Sequence, residues 1–423
     1  MVETHDSKMT ILGALPIDWE VSNIQDCFQK NEKIKIGPFG SQLKKEYLLP
    51  RGDYYVYGQE NVYQDDFHIC YRFLSFERFN SLKSCEIRPG DFVVSTMGTI
   101  GKCAVVPDYA HIGIMDSHLV RMRFNDSIYK PFFAYMFRSR IIQDQIRKLS
   151  VGGIMEGLST SILKKIDVIV PPIQEQKRIA GALLSVDKMI GALDEAITKK
   201  SQIKEGLMQQ LLTGEAVIPE YSGEWQKKRV GDIGFTYSGL TGKTKNDFGH
   251  GEAQYITFLN VLNNPVLNTD AFEKVNVRSD ERQNAAKKGD LFFNTSSETP
   301  EEVGICALLS ADINNLYLNS FCFGFRLTDP DVDGLYLSYF WRSKQGREIM
   351  SALAQGATRY NLSKEYFNKA IITLPPIELQ RYIANTITVA DKEIAELEQK
   401  RDKYLLIKQG MMQELLTGKT RLV

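Results

Sequence analysis

A long segment that occurs twice constrains the fold of this chain more than any other feature of its sequence. Residues 171–214 return in modified form 204 positions later, as residues 375–418. In both copies the apolar side chains alternate in steps of three and four, a pattern typical of one seam of a coiled coil. The predicted helix-pairing seam consists of Ile179, Leu183, Val186, Ile190, Leu193, Ile197, Ile383, Ile387, Ile394 and Leu397. Two matched long helices are therefore available to pair.

The limits of each predicted helix are marked in the sequence. A Pro-Pro pair precedes each copy and a Thr-Gly pair ends it, which favours a fixed helix start and a definite stop. From Gln174 to Leu212 such a helix would be ~58 Å long, far longer than an ordinary globular helix. This length indicates a spacer. Periodicity alone leaves a plain dimerisation coiled coil as an alternative.

The composition is that of an ordinary globular protein. Of 423 residues, 43% are hydrophobic and 25% are charged, which permits two or more domains with real cores. No run approaches the ~20 apolar residues of a membrane span, and the start of the chain lacks the pattern of a signal peptide. We therefore expect a cytoplasmic protein without a membrane partner. The six cysteines form no CxxC pair and only five histidines are present, so buried free thiols are predicted rather than a metal site.

Outside the two helices the chain consists of two halves of similar order. Trp19 and Trp225 precede the halves, and each half contains strand-like runs, such as residues 54–63, followed by helical spacing, such as residues 130–149. The predicted fold class is mixed α/β (α+β), with two pseudo-symmetric globular domains separated by two long antiparallel coiled-coil helices. The predicted divisions are residues 1–172 and 220–376 for the globular domains, and residues 173–219 and 377–423 for the helices.

Motifs for catalysis are incomplete. The segment Gly239–Thr244 resembles the end of a phosphate-binding loop, but Tyr237 occupies the position of the earlier glycine that bends such a loop. An Asn/Asp-Pro-Pro-aromatic motif, which holds a flipped base in methyltransferases, does not occur in the sequence. The sequence predicts a chain that catalyses nothing alone and binds no cofactor itself.

Three glycine-rich or polar stretches recur in both halves and suit nucleic acid: residues 37–45 correspond to 238–245, residues 95–102 to 294–302, and residues 151–157 to 355–361. Glycine permits close approach, Lys and Arg reach phosphates, and Asn, Ser and Thr bond to bases. The candidate DNA-binding residues are Lys44, Lys45, Thr96, Thr99, Lys102, Lys243, Lys245, Thr295, Ser296, Ser297, Arg359, Tyr360 and Asn361. Residues 27–172 carry 20 basic and 15 acidic side chains, a net charge of +5, whereas residues 220–376 carry 17 and 19, a net charge of −2. Only the first half therefore carries a net positive charge that favours binding to phosphate.

The stretches GPFGSQL, GTIGK and PPIQEQKRIA, the duplicated halves and the LLTG helix ends resemble the specificity subunits of type I restriction-modification systems. The resemblance implies two target-recognition domains, each reading half of a split double-stranded DNA site, with helices that set the spacing. It further implies docking of two methyltransferase subunits, and of restriction/translocase subunits through the methyltransferase core. S-adenosylmethionine, ATP and Mg²⁺ would then be bound by those partners. The second half departs from the pattern, having SSETPEE where the first has GTIG.

Three other functions remain open at this point. The chain could serve a related methyltransferase-only or type IIB-like system. It could be an enzyme with methylation or cleavage activity of its own, although a methyl-donor site is not recognisable. It could also be a coiled-coil adaptor that binds protein rather than DNA, although two large domains with divergent loops argue against this function.

Overall fold

The computed structural model describes residues 6–97, 101–150, 158–221 and 223–422. The chain divides into two compact units, Met1–Leu193 with Lys400–Val423, and Asp194–Gln399. Both units are mixed α/β, as predicted. The division falls within both long helices rather than at their ends.

The first unit contains the elements up to the start of the first long helix, together with the end of the second long helix, α12 (Ile377–Leu415). Its strands are β1 (Ser7–Thr10), β2 (Gly13–Pro16), β3 (Glu20–Asn23), β4 (Lys35–Ile36), β5 (Tyr54–Tyr57), β6 (Phe73–Leu74), β7 (Glu86–Ile87), β8 (Phe92–Ser95), β9 (Cys103–Val105), β10 (Gly113–Met115), β11 (Leu119–Met122) and β12 (Asp167–Val170). Its helices are α1 (Gln59–Gln64), α2 (Phe76–Ser81), α3 (Lys130–Arg138), α4 (Arg140–Ser150), α5 (Thr160–Leu163) and the first part of α6 (Ile173–Leu212).

The antiparallel sheet β4-β11-β8-β9 lies at the centre of the first unit. Phe92 and Val94 of β8 face one hydrophobic core, and Val93 faces another. Because both faces of the strand are covered, its sequence is a continuous apolar run rather than an alternating one. A second sheet, β6-β5-β10-β7, contains the parallel pair β5 and β10.

The elements of the second unit lie between the two long helices and include parts of both. Its strands are β13 (Gln226–Arg229), β14 (Gly234–Ser238), β15 (Phe248–Ile256), β16 (Glu273–Val275), β17 (Leu291–Asn294), β18 (Ser296–Ser297), β19 (Cys306–Leu308), β20 (Leu316–Leu318), β21 (Cys322–Leu327), β22 (Ala354–Gln355), β23 (Tyr360–Leu362) and β24 (Ile371–Leu374). Its helices are α7 (Val230–Ile233), α8 (Phe258–Asn263), α9 (Gly334–Arg342), α10 (Lys344–Leu353), α11 (Lys364–Lys369) and most of α12 (Ile377–Leu415).

The second unit repeats the topology of the first. Its sheet β14-β21-β17-β19 has the strand order of β4-β11-β8-β9, and the parallel pair β15 and β20 corresponds to β5 and β10. Leu291 and Phe293 face one core while Phe292 faces another, as in β8. The internal repeat therefore extends through both globular domains, beyond the segment where it is visible in sequence.

Two local predictions were wrong, and in each a polar residue near the junction accounts for the difference. The helix predicted over residues 130–149 is interrupted at Ser139, whose extended backbone (ψ 161°) separates α3 from α4. The hydroxyl of Ser139 donates to Met136 O at 2.6 Å and so satisfies the end of α3. The strand-like run over residues 54–63 ends at Tyr57, because the side chain of Asn61 accepts a hydrogen bond from Gly58 N–H and starts α1.

The long helices run antiparallel within each unit. In the first unit Asp187 of α6 pairs with Lys408 of α12 at 2.6 Å. In the second unit Lys200 pairs with Glu393 at 2.5 Å, and Lys204 pairs with Asp391. All the predicted seam residues are buried or half-buried, and Ile179 and Leu183 share a core with Leu415 and Leu416.

Candidate nucleic-acid interface

A turn between β10 and β11, residues 116–118, is held by a frame of hydrogen bonds in the first unit. Asp116 Oδ1 accepts from His118 N–H at 2.9 Å, which closes the turn. His118 O accepts from both the N–H of Thr96, at 2.9 Å, and its hydroxyl, at 3.0 Å. Thr96 O in turn accepts from Leu158 N–H at 2.8 Å. Three separate segments thus meet at this turn.

The second unit contains the same frame at residues 319–321, between β20 and β21. Asn319 Oδ1 accepts from Phe321 N–H at 2.8 Å. Phe321 O accepts from the N–H and the hydroxyl of Thr295 at 3.0 and 2.8 Å, and Thr295 O accepts from Leu362 N–H at 2.8 Å. Every bond of the first frame has its counterpart here, so the two frames are structurally equivalent.

A glycine from the neighbouring loop packs against each turn. A Cβ atom added to Gly37 would lie 1.7 Å from Asp116 O, and one added to Gly239 would lie 2.0 Å from Asn319 O. Only glycine allows this approach. Each glycine-rich loop predicted to meet DNA, residues 37–45 and 238–245, is therefore anchored on the turn of its own unit.

The predicted DNA-binding residues of the first unit differ in their exposure to solvent. Lys44, Lys45 and Lys102 are exposed. Thr96 is 5% exposed and its hydroxyl is bonded within the frame, so it positions the turn rather than presenting a side chain to solvent. Thr99 and residues 151–157 lie outside the described residues.

The predicted residues of the second unit come together on one small sheet. In the three-stranded sheet β18-β23-β22, Ser296 lies opposite Asn361 and Ser297 lies opposite Tyr360. Thr295 precedes this sheet and belongs to the frame. Arg359, just before β23, is exposed, as is Lys245 in the glycine-rich loop.

Lys243 does not present its charge to solvent. Its side chain is 5% exposed, and its ammonium group lies 2.5 Å from Glu281 and donates to Asn276 O at 2.5 Å. The ion pair also lowers the pKa of Glu281, through the hydrogen bond from Lys243. Because this charge is already neutralised, the structure leaves Lys243 poorly suited to bind phosphate.

Sequence patterns did not identify the two residues that the frames present to solvent, His118 and Phe321. His118 has 48% of its side chain exposed and Phe321 is 61% exposed. The two residues are 203 positions apart, one less than the offset of the long helices. Comparing the halves with a single offset therefore conceals their equivalence.

Each unit also has a groove beside the long helices. The first, of about 300 Å³, is lined by residues that include Arg138, Arg140, Lys408, Met412 and Gln413. The second, of about 330 Å³, is lined by residues that include Arg342, Lys344, Lys204, Met208 and Gln209. These sets correspond position by position at the 204-residue offset. Tyr135 bonds to Asp187 at 2.7 Å beside the first groove, and Tyr339 bonds to Asp391 at 2.8 Å beside the second.

Among the described residues, no group of three or more His, Cys, Asp or Glu side chains is placed to hold a metal ion. Burial raises the pKa of the Cys103 thiol to about 11, which keeps it protonated and unreactive at neutral pH. The helices in the same part of the chain are each too short or too polar to span a lipid bilayer.

The fold and the site define a protein that carries two copies of one binding scaffold with different exposed side chains. The type I restriction modification DNA specificity domain matches residues 16–205 and again residues 222–405. The chain belongs to this family, and the resemblance indicated by its sequence is confirmed.

Named relatives and a solved structure agree with this assignment. A Methanocaldococcus jannaschii protein assigned as the MjaX specificity subunit of a type I restriction enzyme is 23% identical, over 98% of this chain and 96% of its own length. The EcoKI specificity subunit of Escherichia coli is 24% identical, over 72% of this chain and 68% of its own. The crystal structure of a type I restriction-modification S subunit from M. genitalium shares the fold, with a TM-score of 0.57 and 14% identity over 94% of this chain and 96% of that one.

Proposed function

We propose that each unit reads one half of a bipartite double-stranded DNA site. The observation that supports this function is the recurrence of one hydrogen-bonded frame in both units, with His118 exposed in one and Phe321 in the other. A fixed scaffold with variable exposed residues is the arrangement expected of a sequence reader, because backbone geometry positions the side chains and the side chains select bases.

An exchange of segments tests independent recognition. Residues 27–170 are replaced by the corresponding segment of a relative with another known site, and the methylated motif of host DNA is sequenced. One half of the motif should change while the other half and the gap stay constant. Replacing residues 233–374 should change the other half. Alteration of both halves by a single exchange would contradict the proposal.

Two copies of a methyltransferase subunit dock on this chain in our proposal, one at each groove. The grooves are equivalent in position and share methionine, glutamine and basic side chains, so a single partner surface fits both. Restriction/translocase subunits then join through the methyltransferase core. S-adenosylmethionine, ATP and Mg²⁺ belong to those partners, and this chain contributes recognition without catalysis.

The two long helices set the gap between the half-sites in this proposal. α6 is one uninterrupted helix of 40 residues and α12 one of 39. Ion pairs such as Asp187 with Lys408 hold the two helices together. Such a helix pair has a fixed end-to-end distance, which a flexible linker lacks.

A further inference from the structure

We propose that His118 and Phe321 each contact a base and set the preference of their own unit at one position of its half-site. This inference rests on the proposed function and names residues that carry it out. Both residues occupy the tip of the frame, on the turn against which the glycine-rich loop of each unit packs.

The frame holds these residues by their backbone atoms. In each turn the N–H of the tip residue donates to Asp116 or Asn319, and its carbonyl accepts from Thr96 or Thr295. The imidazole Nδ1 of His118 lies 3.8 Å from Asp116 Oδ1, which is longer than a hydrogen bond. Since the backbone makes the frame, the tip side chain can change without disturbing the turn.

Each tip residue is exposed, whereas the residue that follows it in sequence is buried. Leu119, directly after His118, is 0% exposed, and Cys322, directly after Phe321, is 2% exposed. The ring of Phe321 is 61% exposed, and its backbone is fixed by the hydrogen bonds of the frame next to a well-packed core. What distinguishes it from other exposed rings is this fixed position, which makes the side chain available to a partner molecule in one orientation, and the same geometry places His118 at the matching point.

The chemistry of the two side chains predicts different bases. An imidazole offers one N–H donor and one acceptor, which suits the purine N7 and guanine O6 acceptors or the adenine amino group in the major groove. A phenyl ring offers apolar contact, which suits the thymine methyl group. The unit with His118 should therefore prefer a purine at one position, and the unit with Phe321 should prefer a thymine.

The test exchanges the tip residues. The complex of this chain with its methyltransferase subunits selects sites from a pool of random duplex DNA, and the selected sequences are compared for wild type, His118→Phe and Phe321→His. Each variant should change one base-pair position in its own half-site, with a loss of about ten-fold in discrimination for the original base. The controls are His250→Phe and Phe76→His, which alter exposed residues away from the frames; Phe76 is 61% exposed, as Phe321 is.

His118→Ala and Phe321→Ala separate side-chain contact from folding. Both should relax the same base-pair positions while urea unfolding stays as in wild type. Selection of the wild-type motif by all four tip variants would overturn the inference, as would a change in both half-sites from one substitution. A wild-type complex that selects no motif would instead overturn the proposed function, and this inference with it.

Discussion

The buried carboxylate of Glu175, in the first turn of α6, binds residues from two other parts of the first unit. Glu175 is 3% exposed and accepts from Arg421 Nε and Nη2, both at 2.7 Å, and from Trp19 Nε1 at 2.9 Å. These hydrogen bonds raise the pKa of Arg421. At the repeat-equivalent positions the second unit has the buried Leu379 in place of Glu175 and the exposed Val217 in place of Arg421, so these two positions form an ion pair in the first unit and carry no charge in the second.

Arg421→Ala should destabilise the first unit strongly. The substitution leaves the Glu175 carboxylate buried without its cation, which costs about 3–5 kcal/mol of unfolding free energy. The double variant Glu175→Leu with Arg421→Val copies the second unit and removes both charges. It should lose only about 1–3 kcal/mol, mostly from the unpaired Trp19 N–H. Urea unfolding followed by circular dichroism measures both, and equal stability of Arg421→Ala and wild type would contradict the prediction.

Sequence patterns identified the residues whose role depends on periodicity, and missed those whose role depends on distant contacts. Seam residues such as Ile179 and Leu183 repeat every three or four positions, so their burial follows from the helix itself. Lys243 forms an ion pair with Glu281, and the hydroxyl of Thr96 donates a hydrogen bond to His118 O. No local pattern specifies which distant residue will lie beside a loop lysine or a strand-end threonine.

At the scale of secondary-structure elements, a serine separates the two helices of each pair, α3–α4 and α9–α10, next to the groove of its unit. Ser139 and Ser343 each interrupt a continuous helical pattern, and both line a groove beside a long helix. Ser343 accepts from Gly346 N–H at 3.3 Å and so caps α10. The spacing of apolar residues predicted the helices but not this break, because a capping serine and a solvent-exposed serine are identical in sequence.

Groove variants should reduce the number of bound methyltransferase subunits from two to one. Met412→Asp places a carboxylate in the apolar part of the first groove, and Met208→Asp does so in the second, where desolvating the charge opposes docking. The double variant should bind none. Native mass spectrometry of the complex counts the subunits.

Leu406→Asp is the matched control for the groove variants. Leu406 also lies on α12 and is 70% exposed, outside the residues that line the first groove. It should retain two subunits. Loss of both subunits from a single groove variant would contradict independent docking.

Lengthening both long helices should widen the gap between the half-sites. The same four residues are inserted after Leu193 in α6 and after its repeat-equivalent Leu397 in α12. Each helix grows by ~6 Å and turns by ~400°, close to a full turn, so the gap should increase by about one or two base pairs at ~3.4 Å each.

A two-residue insertion at both sites serves as the contrast. It turns each helix by ~200° and should abolish methylation, because the following domain faces away. Sequencing of the methylated motif reports both outcomes. An unchanged gap in the four-residue variant would show that the helices are a passive connection.

At the scale of the whole molecule, the internal repeat made the class of fold predictable. Two similar halves, each followed by a long helix, indicated two mixed α/β domains before any contact was known. The boundary between the two units could not be predicted in the same way, because Leu193 and Gln399 lie inside continuous helices where the sequence carries no break. Contacts made by residues 400–422 with the first unit determine that division.

The two units differ in how their residues are distributed along the chain. The second unit is one continuous stretch, Asp194–Gln399, whereas the first combines Met1–Leu193 with Lys400–Val423. Leu415 and Leu416 complete the core of the first unit, and Arg421 neutralises Glu175. During synthesis the second unit therefore has all its residues before the first does.

A chain stopped after Gln399 should contain a folded second unit and an incomplete first unit. In limited proteolysis, fragments from residues 194–399 should persist while residues 6–193 are cleaved, and the full chain should resist in both. Equal resistance of the two units in the stopped chain would contradict this order. If it holds, translation of residues 400–422 acts as a completeness check, because a chain released before them exposes an unfinished core to chaperones and proteases.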